Sequence, residues 1–248
     1  MIEVKNVSKK YWGSVKALDK IDLTIKPGEI IGLFGENGAG KTTFMKSILG
    51  IQSFDGAILL DGEPITRKNI ARLSFGTCEH SFFPTLTASE NAEFLKEHFP
   101  KFNEKRFKGL TEFFELPLNR KLKNLSTGQQ NQMEVILALS QGAEYIFLDE
   151  PFAGNDIFNR EDFYKVLLGI LNPNETIVLS THLIEEVAGF IDRAVLIRKG
   201  MLIDDKSVSE IEAEGMSLTD YVKKTYGYRA DRVSKALDTI IGEEEENA

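Results

Sequence analysis

The sequence is poor in cysteine, in proline and in long apolar runs, and short of positive charge. Cys78 is the only cysteine, which excludes an intrachain disulfide and a thiolate metal cluster and fits a reducing compartment. The longest apolar stretches, such as Ile30-Ile31-Gly32-Leu33-Phe34 and Tyr145-Ile146-Phe147-Leu148, fall far short of the roughly 20 residues of a membrane helix, so no bilayer span is expected. Met1 to Val4 lead directly into strand-like sequence without a basic and then apolar leader, so no signal peptide is expected either. Lys plus Arg number 30 against 38 Asp plus Glu, a formal charge of -8, which argues against a general basic face and against nucleic acid as a partner. Only 7 prolines stand beside 20 glycines, and 42% of residues are hydrophobic, which excludes disordered and collagen-like chains. What remains is a globular chain of 248 residues, enough for one large domain with or without an appendage.

Short β-like runs alternate with turns at the start: Ile2 to Val4, Ala17 to Ile25, and Glu29 to Phe34 after the Pro27-Gly28 break. The glycine-dense Gly35 to Gly40 then leads into a helical composition over Lys41 to Leu49, closed by Gly50. Ala57 to Gly62 reads as a hairpin, and Pro84 to Gln141 carries helical periodicity with few strand signals. Tyr145 to Leu148 and Ile177 to Ser180 read as buried strands on either side of a helix over Arg160 to Leu171. That is the rhythm of a βαβ unit and predicts a parallel sheet. Ala194 to Ile197 and Met201 to Ile203 form a hairpin. Beyond Asp205 the signals turn helical, with Ser217 to Ile241 as one or two amphipathic helices and Glu243 to Glu246 as a solvated tail. No internal repeat is visible.

Three motifs carry chemistry. Gly35-Glu36-Asn37-Gly38-Ala39-Gly40-Lys41-Thr42 follows the G-x-x-x-x-G-K-[ST] pattern between a strand and a helix. Its glycines let backbone N–H groups turn toward phosphate oxygens at the positive end of the helix, Lys41 adds a mobile cation, and Thr42 can ligate Mg²⁺. Asp149 and Glu150 end an apolar run, where ligands of α/β folds bind; Asp149 is suited to hold magnesium and Glu150 to polarise an attacking water. Ser126 and Gln129 form an S-x-x-Q capping box and, with Gly128, offer a second phosphate-binding arrangement at a helix start, which suggests two subunits.

In this order the motifs resemble the ATP-binding-cassette ATPases, the motor subunits of ABC transporters, over about residues 1 to 215. The resemblance implies an α/β fold: a P-loop NTPase core with a mixed, mainly parallel sheet, an N-terminal antiparallel β subdomain and an inserted helical subdomain at about 80–141. Residues 216–248 would form a C-terminal helical extension. It also implies an ATP and Mg²⁺ site. ATP would be bound by Gly35, Asn37, Gly38, Gly40, Lys41, Thr42 and Thr43, with Tyr11, followed by Gly13, stacking on adenine. Thr42, Asp149 and Glu79 would serve the metal. Glu79 stands where the family has its Q-loop glutamine, a departure shared by some exporter-branch members that tilts the expectation toward export. Ser126, Gly128 and Gln129 resemble the signature, although Thr127 replaces a glycine and Gln130-Asn131-Gln132 lacks the usual basic residues. Gly154 and Asp156, around Asn155, resemble the D-loop. His182, after Ser180-Thr181, resembles the switch histidine, joining Glu150 and Lys41 as the catalytic set.

The resemblance further implies a head-to-tail homodimer, or a heterodimer with a second such ATPase. A separate integral membrane permease would hold it at the inner face of the cell membrane, otherwise in the cytoplasm. The rival reading is a non-transport cassette ATPase in assembly or regulation, for example of iron-sulphur clusters. A nucleotide sensor without turnover is disfavoured by the presence of both Glu150 and His182. Eight of the 17 phenylalanines fall between Phe82 and Phe114, more than a few helices would hide, so some of them should be accessible for a permease segment.

Overall fold

The computed structural model describes residues 1–12, 15–151 and 157–227, the last stretch with its side chains from 162 onward. Gly13, the Gly154-Asn155-Asp156 triplet and residues 228–248, including the acidic tail, lie outside the described residues.

Two sheets face each other. The first is antiparallel, in the order β2 (Lys16–Ile25), β1 (Ile2–Lys10), β4 (Asp55–Leu60), β5 (Glu63–Pro64). The second has six strands in the order β10 (Met201–Ser207), β9 (Arg193–Arg198), β3 (Ile30–Phe34), β8 (Thr176–Ser180), β7 (Tyr145–Asp149), β6 (Leu73–Thr77). All its pairs are parallel except the β9/β10 hairpin. The βαβ unit expected around Tyr145 to Ser180 is present, with α5 (Ile157–Ile170) as its crossover.

The central strands read as continuous apolar runs because both faces of the larger sheet are covered. Side chains of a strand alternate in direction, and here they divide between two cores. Tyr145, Phe147, Val178, Val195 and Ile197 face the antiparallel sheet and α1 (Lys41–Ile48), whose Phe44, Met45 and Ile48 fill that side. Ile146, Leu148, Ile177, Leu179, Ala194 and Leu196 face the other way. There they meet Met133, Ile136 and Leu139 of α4 (Thr127–Ser140) and Phe163 and Leu167 of α5.

Between β6 and β7 the chain forms α2 (Ala88–His98), α3 (Glu104–Phe113) and α4. α2 and α4 start in full capping boxes, Thr87 with Glu90 and Ser126 with Gln129, each side chain satisfying a backbone N–H that the helix leaves free. After β10 come α7 (Val208–Ala213) and α8 (Leu218–Thr225), and a single turn, α6 (Ile184–Val187), follows β8. β6 is the strand that periodicity does not announce: Leu73-Ser74-Phe75-Gly76-Thr77 is half polar and holds a glycine. Gly76 is there for packing, since a Cβ would come within 3.1 Å of Leu148 and 3.3 Å of Ala138.

The strand ends are in register. Thr77 pairs with Asp149, Asp149 with Ser180, and Ser180 with Leu33, so four neighbouring strands finish level at one edge of the sheet. Among the described residues no helix is long and apolar enough to cross a membrane.

Candidate nucleotide site

The level edge is where the site forms. β3 ends at Phe34, and the next position must be glycine: a Cβ on Gly35 would sit 2.5 Å from the Ile197 carbonyl oxygen. Gly38 and Gly40 adopt φ of 77° and 112°, which only glycine takes at low cost, and so turn the loop onto the N-terminus of α1. Asn37, Gly38, Gly40, Lys41, Thr42, Thr43 and Tyr11 border one cavity of about 340 Å³ together with Glu150. Backbone N–H groups at a helix N-terminus and a buried lysine make this an anion site. Lys41 is 6% exposed; its Nζ donates to the Gly35 carbonyl at 2.7 Å and lies 3.9 Å from Glu150 Oε1. The Tyr11 hydroxyl donates to Gln52 Oε1 at 2.6 Å and lies 3.4 Å from Thr43 Oγ1, so its ring is held at the cavity rim, 47% exposed.

The carboxylates are set from β8. Thr42 Oγ1 donates to Asp149 Oδ2 at 2.6 Å, and Ser180 Oγ donates to Asp149 Oδ1 at 2.5 Å. The same Ser180 oxygen accepts the Glu150 N–H at 3.0 Å. That anchor holds Glu150 at φ 46°, a left-handed conformation that costs a non-glycine residue of order 1 kcal/mol. Glu150 is thereby turned off the strand axis, with Oε2 3.0 Å from His182 Nδ1 and Oε1 toward Lys41. Sequence reasoning placed Ser180 only as the strand end before His182; its part as the link between both carboxylates rests on side-chain geometry that no motif encodes.

Thr42 and Asp149 form an oxygen-only donor pair beside the phosphate loop, which suits a hard divalent cation such as Mg²⁺ that keeps water and phosphate oxygens in the rest of its shell. No group of three or more His, Cys, Asp or Glu side chains is arranged as a metal site among the described residues, so the pair is a partial shell rather than an all-protein cage.

Glu79 is the third residue expected to serve the metal. Its carboxylate is ion-paired with Lys46 of α1 at 2.5 Å and is largely exposed. At the adjacent Cys78, burial first, then the negative charges of Asp149, Glu79 and Glu150, push the thiol up. Ser126, Gly128 and Gln129 start α4 on an exposed or half-exposed surface and are not among the residues lining the phosphate-loop cavity.

The loop after β6 is pinned by a residue that sequence reading passed over. Glu134 of α4 is 2% exposed and accepts from Ser81 N at 3.1 Å with each oxygen, and also from Ser81 Oγ. Burial pushes its carboxyl above the usual carboxylate range, against the lowering effect of those hydrogen bonds. In the window between the ordinary value of 4.5 and the raised one, the folded chain therefore holds a proton that the unfolded chain has released. Stability from this group is present at lower pH and is lost as pH rises through the folded pKa. Glu134→Gln is expected to flatten that part of the stability curve, as read by urea unfolding across pH 4 to 8; a curve of unchanged shape would mean that Glu134 titrates normally.

Comparison with known proteins places the chain in a family. The family model described as ABC transporter matches residues 18–153, over half of the chain. The ribose import ATP-binding protein RbsA of Streptococcus agalactiae is 32% identical over 256 residues, covering 97% of this chain and 51% of that protein. The ABC transporter ATP-binding protein YtrB of Bacillus subtilis is 30% identical over 218 residues, covering 86% of this chain and 74% of that protein. The chain thus spans about half the length of the ribose proteins it matches. Among solved structures, an ATP-binding subunit of an ABC transporter superposes with a TM-score of 0.80 at 22% identity, covering 91% of this chain and 99% of that one. A dimeric bacterial ABC transporter cassette superposes with a TM-score of 0.72 at 26% identity, covering 84% and 99%. The chain belongs to the ABC transporter family.

Proposed function

We propose that this chain binds and hydrolyses ATP as the motor of a transporter whose membrane-spanning part is a separate chain. One observation carries the reading: Lys41 and Glu150 line the phosphate-loop cavity, with Asp149 bonded to Thr42 and His182 to Glu150, while the helix start at Ser126 to Gln129 is outside that cavity's lining. An end of that kind is of use to the cavity of a second copy or a related subunit, which supports a head-to-tail dimer; a similar cassette has been solved as a dimer.

In this reading Gly35, Asn37, Gly38, Gly40 and Thr43 cradle the α- and β-phosphates, Lys41 meets the β- and γ-phosphates, and Tyr11 stacks on adenine. Thr42 and Asp149 hold Mg²⁺, which supplies charge neutralisation at the phosphates. Glu150 takes a proton from the attacking water, and His182, on Glu150 Oε2, contacts the γ-phosphate and fixes the direction of that carboxylate. Ser126, Gly128 and Gln129 close the partner's site, joined by Asp156. Residues 1–215 are the ATPase unit with its helical insertion at 80–141, and the described part of the 216–248 extension, α8, packs onto it through Leu218, Tyr221 and Val222. The expectation of export finds no support among the relatives, the ribose proteins being named for import. They favour transport over a role in assembly.

The permease face is the groove between β6, α2 and α4. Phe75, Phe82, Phe83, Phe94, Leu95 and Leu137 line a cavity there of about 140 Å³. Asn91 fixes its rim by accepting from Phe83 N at 2.9 Å and donating to Phe83 O at 3.1 Å. Phe83 is 46% exposed, as the aromatic density of this segment leads one to expect. Phe83→Ser is expected to leave ATP binding intact and abolish recovery of the chain with membranes from cells that make its permease. Recovery equal to the parent's would remove the groove from the reading. Absence of ATP turnover by the parent chain, at any protein concentration, would overturn the motor function itself.

A further inference from the structure

We propose that Tyr226, at the end of α8, is a positioning residue for the phosphate loop, acting from behind it on the carbonyl where β3 ends. The inference rests on the ATP site described above and adds a part that lies 192 residues away in sequence.

The Tyr226 hydroxyl donates to Ile197 O at 2.9 Å and to Phe34 O at 3.2 Å, one hydrogen shared between two carbonyls. Phe34 is the last residue of β3 and Gly35 the first of the loop, so the contact falls at the hinge between them. It also lies beyond the last paired residues of the β3/β9 ladder, Phe34 with Leu196, and so holds together two strand ends that the ladder itself leaves open. The hydroxyl approaches Gly35 closely: an ideal Cβ on that glycine would be 3.5 Å from it. The carbonyl of the next peptide, that of Gly35, accepts from Lys41 Nζ, so a tilt of the Phe34–Gly35 peptide is passed across one Cα to the peptide that the phosphate-binding lysine holds.

The rest of the tether is stiff. Gly200 N, in the turn between β9 and β10, donates to Ala39 O at 2.8 Å, so the far end of the loop hangs from the same hairpin. Tyr226 N bonds Val222 O at 3.0 Å, which continues α8, and Leu218, Tyr221 and Val222 bury that helix in the core. The Arg198 guanidinium lies 5.9 Å from the centre of the Tyr226 ring, and its Nη1 reaches Tyr226 O at 3.4 Å. Burial pushes the phenol up to about 12, so the donor stays protonated at any working pH. α8 also packs against α6, the turn that follows His182, and one short helix thereby braces both segments that flank the γ-phosphate position.

Tyr226→Phe keeps the ring and removes only the shared donor. The loop contacts phosphates equally in the ground and transition states, so its loosening should weaken binding rather than slow chemistry. ATP affinity measured by calorimetry is expected to fall about fivefold, the fold-change that ~1 kcal/mol of one hydrogen bond corresponds to. KM for ATP should rise in step, with kcat within twofold of the parent. Tyr221→Phe is the control: its hydroxyl is on the same helix, buried without a hydrogen-bond partner, and its loss is expected to leave ATP affinity unchanged. Equal affinities for the parent and Tyr226→Phe, whatever the melting temperatures, or an equal loss in Tyr221→Phe, would overturn the proposal while leaving the ATP site standing. A parent chain that binds no ATP would overturn both.

Discussion

Glu150→Gln is expected to bind ATP with the parent's affinity and to hydrolyse it at least about 10²-fold more slowly, because an amide cannot accept the proton that the attacking water must lose. The geometry predicts separation of the two properties. The Glu150 backbone is held by its own N–H on Ser180, which glutamine retains, and a glutamine side chain can still bond His182 from the same place. The lysine loses a carboxylate 3.9 Å away, a change that does not weaken its hold on phosphate. With hydrolysis blocked and binding intact, ATP should drive the variant into a dimer that persists through gel filtration. Turnover within about tenfold of the parent would show that another group takes the proton.

The second large effect is structural. Arg106→Ala is expected to destabilise the chain by about 3–5 kcal/mol, the cost of leaving a buried partner charge unpaired. In a chain of this size that is a fall of roughly 10 °C in melting temperature. Arg106 and Glu175 have side chains only 5% and 11% exposed and meet in a two-pronged pair, each guanidinium nitrogen 2.9 Å from its own oxygen. The remaining donors reach Leu139 O at 2.9 Å and Ile170 O at 2.7 Å. One side chain thus fastens α3 to the ends of α4 and α5 and to the loop entering β8. Arg106→Met combined with Glu175→Gln should recover part of the loss, since no buried charge then lacks a partner. A double variant as unstable as Arg106→Ala would assign the cost to the two carbonyls instead.

These predictions differ in how far the sequence could foresee them. The phosphate loop, Asp149-Glu150 and His182 were legible because their chemistry is local: the residue types needed for phosphate turns and strand-end acids stand next to one another in the chain. Strands β3, β7 and β8 were legible for the same kind of reason, as apolar runs that only a doubly covered sheet explains. Arg106 was not. On an amphipathic helix an arginine reads as solvent-facing, and only the arrival of Glu175, 69 residues on, makes its burial tolerable. β6 was hidden by its own polar residues, which an edge strand beside a helix accommodates. The ion pair of Glu79 with Lys46 joins residues 33 positions apart, which no local motif announces. Tyr226 was beyond any local pattern.

The level finish of four strands has a consequence for how this site tolerates change in length. Thr77, Asp149, Ser180 and Leu33 occupy one cross-sheet row, and the chemistry is mounted immediately above it. Deleting one residue inside any of these strands would pull its terminal group back by about 3.3 Å and turn it to the opposite face of the sheet, away from its neighbours in the row. Substitutions below the row only repack a core, whereas insertions and deletions below it dismantle the site. Length variation compatible with activity is therefore confined to the connections at the opposite edge of the sheet and to the surface turns of the antiparallel sheet, so an indel scan of this chain should map the strands more sharply than an alanine scan does.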